Sequence, residues 1–346
     1  MKRTIYKLKS SPSYPGLTLF LVILVMNIVI QTPGRFFMAA NLNSILAKNM
    51  PLILITLSPG LLMLSGVIDF SVGVQVSLSN VIAIMIPQTF GTPIWLGWLC
   101  AVAGCVLISL FNGFVTTYLR IPVLLSCYAM VYVVKGINVL IMSKPQGTVP
   151  SVIYKTYDSL LLGFLPFSAL ILVSVLLFWG YLRRTAFSKA IYSTGGSITH
   201  AYSSGINTSA TRMKVYAIAG LFNGLAGLCM TAMTASGDPN AGEVYGLKTV
   251  AACILGGIAM SGGWGSLYCA LYGALVLILT QNGVSSLFNL LSRVIPNFAV
   301  TTYWQNFASD MIILIGLIMT VFSNKAMLRS MKEQMKYLTL GGKQHE

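Results

Sequence analysis

The chain has 346 residues, of which 56% are hydrophobic and only 8% charged, with a mean hydropathy of +0.80. A soluble domain carries about 25% charged residues, so this balance excludes a soluble globular protein and marks a chain that crosses a membrane many times. The net charge of +15 does not point to nucleic acid, because the basic residues gather at the ends of apolar runs, as positive-inside orientation and anionic lipid require.

Lys2, Arg3, Lys7 and Lys9 precede an apolar run from Leu17 to Ile30. No small-residue cleavage site follows cleanly, so this run reads as an uncleaved first span behind a cytoplasmic segment, 1–16. Further apolar runs fall near Leu42–Leu64, Ser71–Ile86, Ile94–Leu119, Val123–Met142, Phe164–Leu182, Met213–Thr234, Leu247–Met260, Leu267–Gln281 and Phe307–Phe322. A span needs about 20 residues, so the runs near 71, 247 and 267 are short and are expected to be broken or partly re-entrant. The expected fold is an all-α polytopic membrane protein with about ten transmembrane helices. Its membrane domain covers 17–323, and a basic cytoplasmic tail, 324–346, lies along the inner leaflet. Pro51 and Pro59 both fall in the second span, which is expected to kink or break. Gly220 and Gly224 make a G-x-x-x-G along which helices can approach closely. Six cysteines (Cys100, Cys105, Cys127, Cys229, Cys253, Cys269) lie in apolar runs without C-x-x-C pairing and read as packing residues.

With both termini inside, basic residues on the cytoplasmic side outnumber those outside by more than two to one, which supports an even number of spans. The external side then holds Arg35, Lys48, Lys144, Lys155, Lys248 and Arg293, and two prominent loops, Ser143–Leu160 and Ala235–Gly246. Lys135 lies within a span.

The longest polar interruption, Arg183 to Lys214, carries Arg183, Arg184, Lys189, Arg212 and Lys214 and no acid. Its middle suits a short helix with Ser197 as N-cap, Gly205 as left-handed stop and Ile206 closing on the last turn. Ile198, Ala201 and Tyr202 stand at i, i+3 and i+4 and share one face. That apolar ridge either meets a soluble partner or lies in the headgroup layer, and spacing leaves both readings open.

The sequence contains no phosphate loop, no G-x-S-x-G and no H-E-x-x-H, and its histidines are His200 and His345 alone. No cofactor and no metal site are expected. In SGVIDFSVG (Ser65–Gly73), Asp69 beside a long apolar segment is costly unless paired or capping. With Ser71 and Gly73 it suits a polar break, either lining a pathway or capping the next half-helix at the amides of Ser71 and Val72. The run ILGGIAMSGGWGS (Ile254–Ser266) carries Gly256, Gly257, Gly262, Gly263 and Gly265, a sign of close backbone approach or of a gate.

IDFSVG, FNG at Phe111–Gly113, TGGSITHAYSSGI and ILGGIAMSGGWGS occur in one order over roughly Asn41 to Phe322. In that order they resemble the landmarks of ribose-type permease subunits of bacterial ATP-binding-cassette (ABC) sugar importers. The resemblance implies a ten-span subunit in the bacterial inner membrane, without its own nucleotide site, carrying a small hydrophilic solute, expected to be a monosaccharide. It implies as partners a second permease, identical or different, two cytosolic ABC ATPases and an extracytoplasmic sugar-binding protein. It also assigns ATPase coupling to Gly195, Gly196, Ile198, Ala201, Tyr202, Ser204 and Gly205. Pathway or gate candidates are Asp69, Ser71, Gly73, Asn112, Lys135, Gly256, Gly257, Gly262 and Gly263; candidates for binding-protein contact are Asp238, Glu243 and Lys248. The chain departs from the family's pattern at Ile198, Thr199 and Tyr202, where acidic residues and an arginine are usual. It departs again at Gly246 and Lys248, in place of Glu and Asp, at Lys135, where Arg is frequent, and at Pro59-Gly60, where Gly-Met is usual. The rival reading is a stand-alone secondary transporter or channel, for which only Asp69 and Lys135 offer titratable groups in the membrane. An intramembrane enzyme is disfavoured because the sequence carries none of these catalytic motifs.

Overall fold

The computed structural model describes residues 14–161, 165–294 and 301–323. The expected amino-terminal segment before residue 14, the basic tail from 324 and the start of the run at Phe164 lie outside the described residues. In chain order the elements are α1 (Tyr14–Gln31), α2 (Pro33–Phe36), α3 (Ala39–Leu64), α4 (Val72–Phe90), α5 (Ile94–Thr117), α6 (Val123–Ile141) and α7 (Ser151–Tyr157). A small antiparallel pair follows, β1 (Leu160–Leu161) and β2 (Leu165–Pro166). The remaining helices are α8 (Phe167–Leu182), α9 (Ala186–Gly196), α10 (Ile198–Ser203), α11 (Thr208–Thr234), α12 (Tyr245–Gly256), α13 (Leu267–Val294) and α14 (Thr302–Ser323).

Among the described residues seven helices are long and apolar enough to cross a membrane, or eight if α8 and α9, bent by 81° at their junction, count as one broken span. The 12-residue α12 and the 22-residue α14 stand beside them, consistent with about ten spans that include a partial one. At 1.5 Å per residue α12 covers about 18 Å, too little for a bilayer core of about 30 Å; the run near 247 is therefore as short as the sequence indicates. The runs near 71 and 267 are not short. Residues beyond Ile86 extend α4 to 19 residues, and polar Asn282, Ser285 and Ser286 continue α13 to 28.

The chain divides into two compact units, 1–279 and 280–346. In the first, α3 is the central helix, buried at every residue from Met50 to Leu64. A helix that is apolar all round needs such a position. Its neighbours are α4, α8, α11 and α12. Of the kink or break expected at Pro51 and Pro59, the break does not occur; α3 runs through both. Pro51 lacks the amide that would bond the Ala47 carbonyl, and the Tyr157 hydroxyl donates to that carbonyl instead, at 2.6 Å. Burial pushes the Tyr157 phenol above its ordinary pKa, so it remains a donor. In the second unit, the Gln281 amide donates to Asn306 Oδ1 at 3.3 Å and Ser285 donates to Gln305 Oε1 at 3.1 Å, tying α13 to α14.

The glycines of α11 work as their spacing predicts. A Cβ at Gly220 would lie 2.7 Å from Val106 Cα and one at Gly224 2.8 Å from Val102 Cα, so α11 and α5 meet nearly backbone to backbone. Gly227 does the same against Val76 and Ser79 of α4. The two loops assigned outside are joined: Gln146 and Gly237 exchange backbone hydrogen bonds of 3.0 and 3.1 Å.

Candidate functional site

Three breaks in the helical pattern converge on one junction of glycines. The α3–α4 break supplies Gly66, the end of α9 supplies Gly195 and Gly196, and the segment after α12 supplies Gly262 and Gly263. A Cβ at Gly262 would sit 2.6 Å from Gly66 Cα and 2.7 Å from the Gly195 carbonyl oxygen. One at Gly263 would sit 2.6 Å from Gly196 Cα, and one at Gly195 would meet the Leu64 carbonyl. The Gly263 amide donates to that same Leu64 carbonyl at 3.1 Å. Gly66, Gly262 and Gly263 have φ of 81°, 83° and 71°, so all three need glycine for conformation, and Gly262 and Gly263 need it for space as well. Glycine pairs that sequence alone could not tell from ordinary close packing thus weld the approach to α10 onto the break ahead of Asp69. Gly256 serves another contact: a Cβ there would strike Cys269 of α13, while Gly257, with φ of 104°, ends α12.

From this junction α10 projects as expected. The Ser197 side chain accepts from the His200 amide, Gly205 has φ of 81°, and the Ile206 amide closes on the Ala201 carbonyl at 3.1 Å. The ridge is narrower than the sequence suggests. Ile198 and Tyr202 are exposed, Tyr202 at 73%, but Ala201 is buried against the body of the protein; a side chain this small fits where a six-residue helix must pack. Ser204 is exposed and donates to the His200 carbonyl at 2.9 Å. Ile198 and Tyr202 also wall a cavity of about 540 Å³, with Thr116, Arg120, Thr208 and Arg212.

Asp69 lies just past the break and is 1% exposed. One carboxyl oxygen accepts from the Ser71 amide at 2.7 Å and the other from Asn112 Nδ2 at 3.0 Å. Of the two amides expected to be capped, Ser71 is the one Asp69 holds. Asn112 Oδ1 in turn accepts from Ser126 at 2.6 Å, so α5 and α6 are tied to the break through one side chain. A second centre follows at Gln75: its amide donates to the Ser71 hydroxyl at 3.1 Å, and its oxygen accepts from Ser109 at 2.7 Å and Asn223 at 2.9 Å. The network therefore joins α4, α5, α6 and α11 through buried polar groups, each worth more to the fold in a low-dielectric interior than at a surface. Gln75, Ser109 and Asn223 were not singled out from the sequence; the available signal was a polar side chain inside an apolar run, which must find a partner.

Lys135 does not face Asp69. It pairs with Glu243, Nζ to Oε1 at 2.7 Å, with both side chains partly exposed. Glu243 belongs to the segment leading into α12, which is pressed against the start of α4. A Cβ at Gly73 would lie 2.5 Å from the Gly242 carbonyl oxygen, and one at Gly246 2.8 Å from that of Phe70. That contact explains the glycine at 246. Asp238 is fixed by its backbone, its amide donating to Asn80 Oδ1 at 2.7 Å. Lys248 lies in the first turn of α12, half-buried. Among the described residues no cluster of His, Cys, Asp and Glu could hold a metal.

The family described as "branched-chain amino acid transport system / permease component" matches residues 41–321. Similar curated proteins are permeases of import systems. The galactose/methyl galactoside import permease of Salmonella typhimurium is 27% identical, covering 87% of this chain and 92% of the relative. The autoinducer 2 import system permease of Enterobacter sp. is 28% identical, covering 90% and 88%. The xylose transport system permease of Escherichia coli is 35% identical over a shorter stretch, 42% of this chain and 35% of the relative. No solved structure matches.

Proposed function

The chain belongs to the branched-chain amino acid transport system permease family, and from that premise we propose that it is the membrane-spanning subunit of an ABC importer for a monosaccharide or a solute of similar size and polarity. The galactose and xylose permeases among its relatives support the substrate class. In this reading the chain provides the pathway, ATP is hydrolysed on two cytosolic partner subunits, and a second permease completes the channel. A sugar-binding protein delivers the solute at the outer face, near Asp238, Glu243 and Lys248. Both termini are cytoplasmic, 17–323 is the permease domain, and the protein resides in the inner membrane.

The glycine junction carries this reading. A short helix with exposed Ile198 and Tyr202 is a handle for a soluble partner, and its root packs on the backbone of both other breaks. Displacement of α10 by a closing ATPase would be passed to Gly66 and Gly262 with little loss, because backbone packed against backbone has no side-chain rotamers to absorb it. Asp69, Ser71, Gly73 and Asn112 then form the pivot of the pathway helices, while Gly256, Gly257, Gly262 and Gly263 let the re-entrant segment move as a gate. The stand-alone transporter has less support, since Asp69 is engaged by two hydrogen bonds and Lys135 by an ion pair with Glu243. Copurification and uptake test the proposal together. The tagged chain should retain an ATPase through detergent extraction, and cells expressing the full system should accumulate D-galactose or D-xylose with ATP consumption. A chain that purifies alone and transports sugar without ATP would overturn it.

A further inference from the structure

We infer that the outward face of α6, together with the Glu243 segment, is a contact site for an uncharged polyhydroxylated solute inside the membrane, formed by Tyr128, Tyr132, Lys135 and Glu243. The inference rests on the sugar-importer reading above and adds to it a place and a chemistry.

The buried face of α6 is the stripe Ser126, Cys127, Met130, Val134 and Asn138. Tyr128, Tyr132 and Lys135 stand at i, i+4 and i+7, opposite that stripe and on one face. Both tyrosines are about three-fifths exposed, their hydroxyls are 3.1 Å apart and their rings meet edge to face. Lys135 extends the row to Glu243 through their 2.7 Å ion pair. The four groups are therefore one constellation.

Depth decides what this face can meet. Gly242, the neighbour of Glu243, packs on Gly73 and Val76, and Val76 is also a contact of Gly227 in α11. Gly227 lies seven residues before the end of α11 at Thr234, about 10 Å along a helix rising 1.5 Å per residue. Lys135 itself lies six residues before the end of α6 at Ile141, so the ion pair sits just inside the outer end of that span, although its side chains are 37% and 47% exposed. An ammonium, a carboxylate and two phenols turned toward lipid tails at that depth are strongly disfavoured, and intramembrane charges normally face a bundle interior or a water-filled cavity. The face thus lines an aqueous path.

Its chemistry suits a neutral polyol. The pair sums to zero charge, so it attracts neither an anion nor a cation. The ammonium donates, the carboxylate accepts and each phenol can do both, which matches the mixed hydroxyls of a sugar. The tyrosine faces offer a surface for the C–H side of a pyranose or furanose ring, and exposed Leu247 follows Glu243 by four residues, in the first turn of α12.

Leu247→Cys, in a background lacking the native cysteines and in the complete transporter, reports on this face without touching the four polar groups. A negatively charged methanethiosulfonate should label it, and should leave Leu107→Cys, on the exposed face of α5, unlabelled. D-Galactose or D-xylose should slow labelling at least about fivefold, glycine betaine should not, and Tyr132→Phe or the double change Lys135→Met with Glu243→Gln should abolish the protection. In uptake the same variants should transport on the order of tenfold more slowly than wild type while assembling normally, the size of effect expected when polar solute contacts are removed. Unlabelled Leu247→Cys would mean that lipid or a second copy covers the face, and would overturn the inference. So would labelling that no sugar slows, or variants that transport at the wild-type rate. Wild-type uptake separates the two claims: import that survives the variants sinks only this site, whereas a wild type that imports neither sugar sinks the importer reading with it.

Discussion

At the scale of single residues, Asp69 and the glycines of the junction make sharp demands. Both oxygens of Asp69 accept hydrogen bonds, from Ser71 and from Asn112, and Asn112 in turn accepts from Ser126. Asp69→Asn would turn an amide donor toward the Asn112 donor, and Asp69→Leu would leave both donors unpaired. Unsatisfied buried groups cost about 1–3 kcal/mol each, so melting temperature and uptake should fall for Asn and further for Leu. The exchanged pair, Asp69→Asn with Asn112→Asp, restores every donor to an acceptor and should recover most of the stability. If the exchange is as damaged as Leu, the charge at position 69 matters beyond its hydrogen bonds. Gly195 and Gly196 make a second comparison. A methyl group at Gly195 would strike the Leu64 carbonyl, whereas one at Gly196 meets nothing within 4 Å. Overpacking costs about 1–3 kcal/mol, so Gly195→Ala should lower thermal stability and transport, while Gly196→Ala leaves both near wild type. Equal tolerance would show that the junction is looser than its contacts.

At the scale of elements, the instructive helix is α10. It has six residues and no stability of its own; the Ser197 cap, the Gly205 turn and buried Ala201 hold it. Tyr202 is mostly exposed, so Tyr202→Asp should leave insertion and melting temperature unchanged, while an ATPase pocket receiving the ring would have to bury a charge. Such burial is strongly unfavourable, and ATPase copurification or sugar-stimulated hydrolysis should drop by at least about tenfold. Full assembly and transport in Tyr202→Asp would assign the exposed ridge to the membrane surface instead. The central helix α3 teaches the opposite lesson. Two prolines leave it uninterrupted, because at least the carbonyl freed by Pro51 finds the Tyr157 hydroxyl.

At the scale of the whole molecule, the claim open to measurement is orientation. The proposed arrangement has α7 outside and α10 inside, and follows from the concentration of Lys and Arg around α9 to α11. Ser151→Cys and Ser203→Cys are both at exposed positions. In a background without the native cysteines, an impermeant thiol reagent applied to intact spheroplasts should modify Ser151→Cys and spare Ser203→Cys. Modification of Ser203→Cys from outside would invert the topology and remove the basis for ATPase coupling through α10.

The amino-acid sequence by itself determined the membrane class, most of the spans, the cap and stop of α10, the shortness of α12 and the family, because these depend on composition, local periodicity and short ordered motifs. It also marked Asp69 and the glycine pairs as special. Tertiary structure alone decided their partners. Whether Asp69 faced Lys135 or Asn112, which glycines met one another, and that Ala201 turns inward all depend on chain segments far apart in sequence. The same holds for α3, where the sequence called for a kink or a break and the helix runs on unbroken, with a distant tyrosine bonding the carbonyl that Pro51 leaves free. A polar or glycine residue announces from its own chemistry that it needs a partner or a close neighbour; which one it receives is set by packing across the fold.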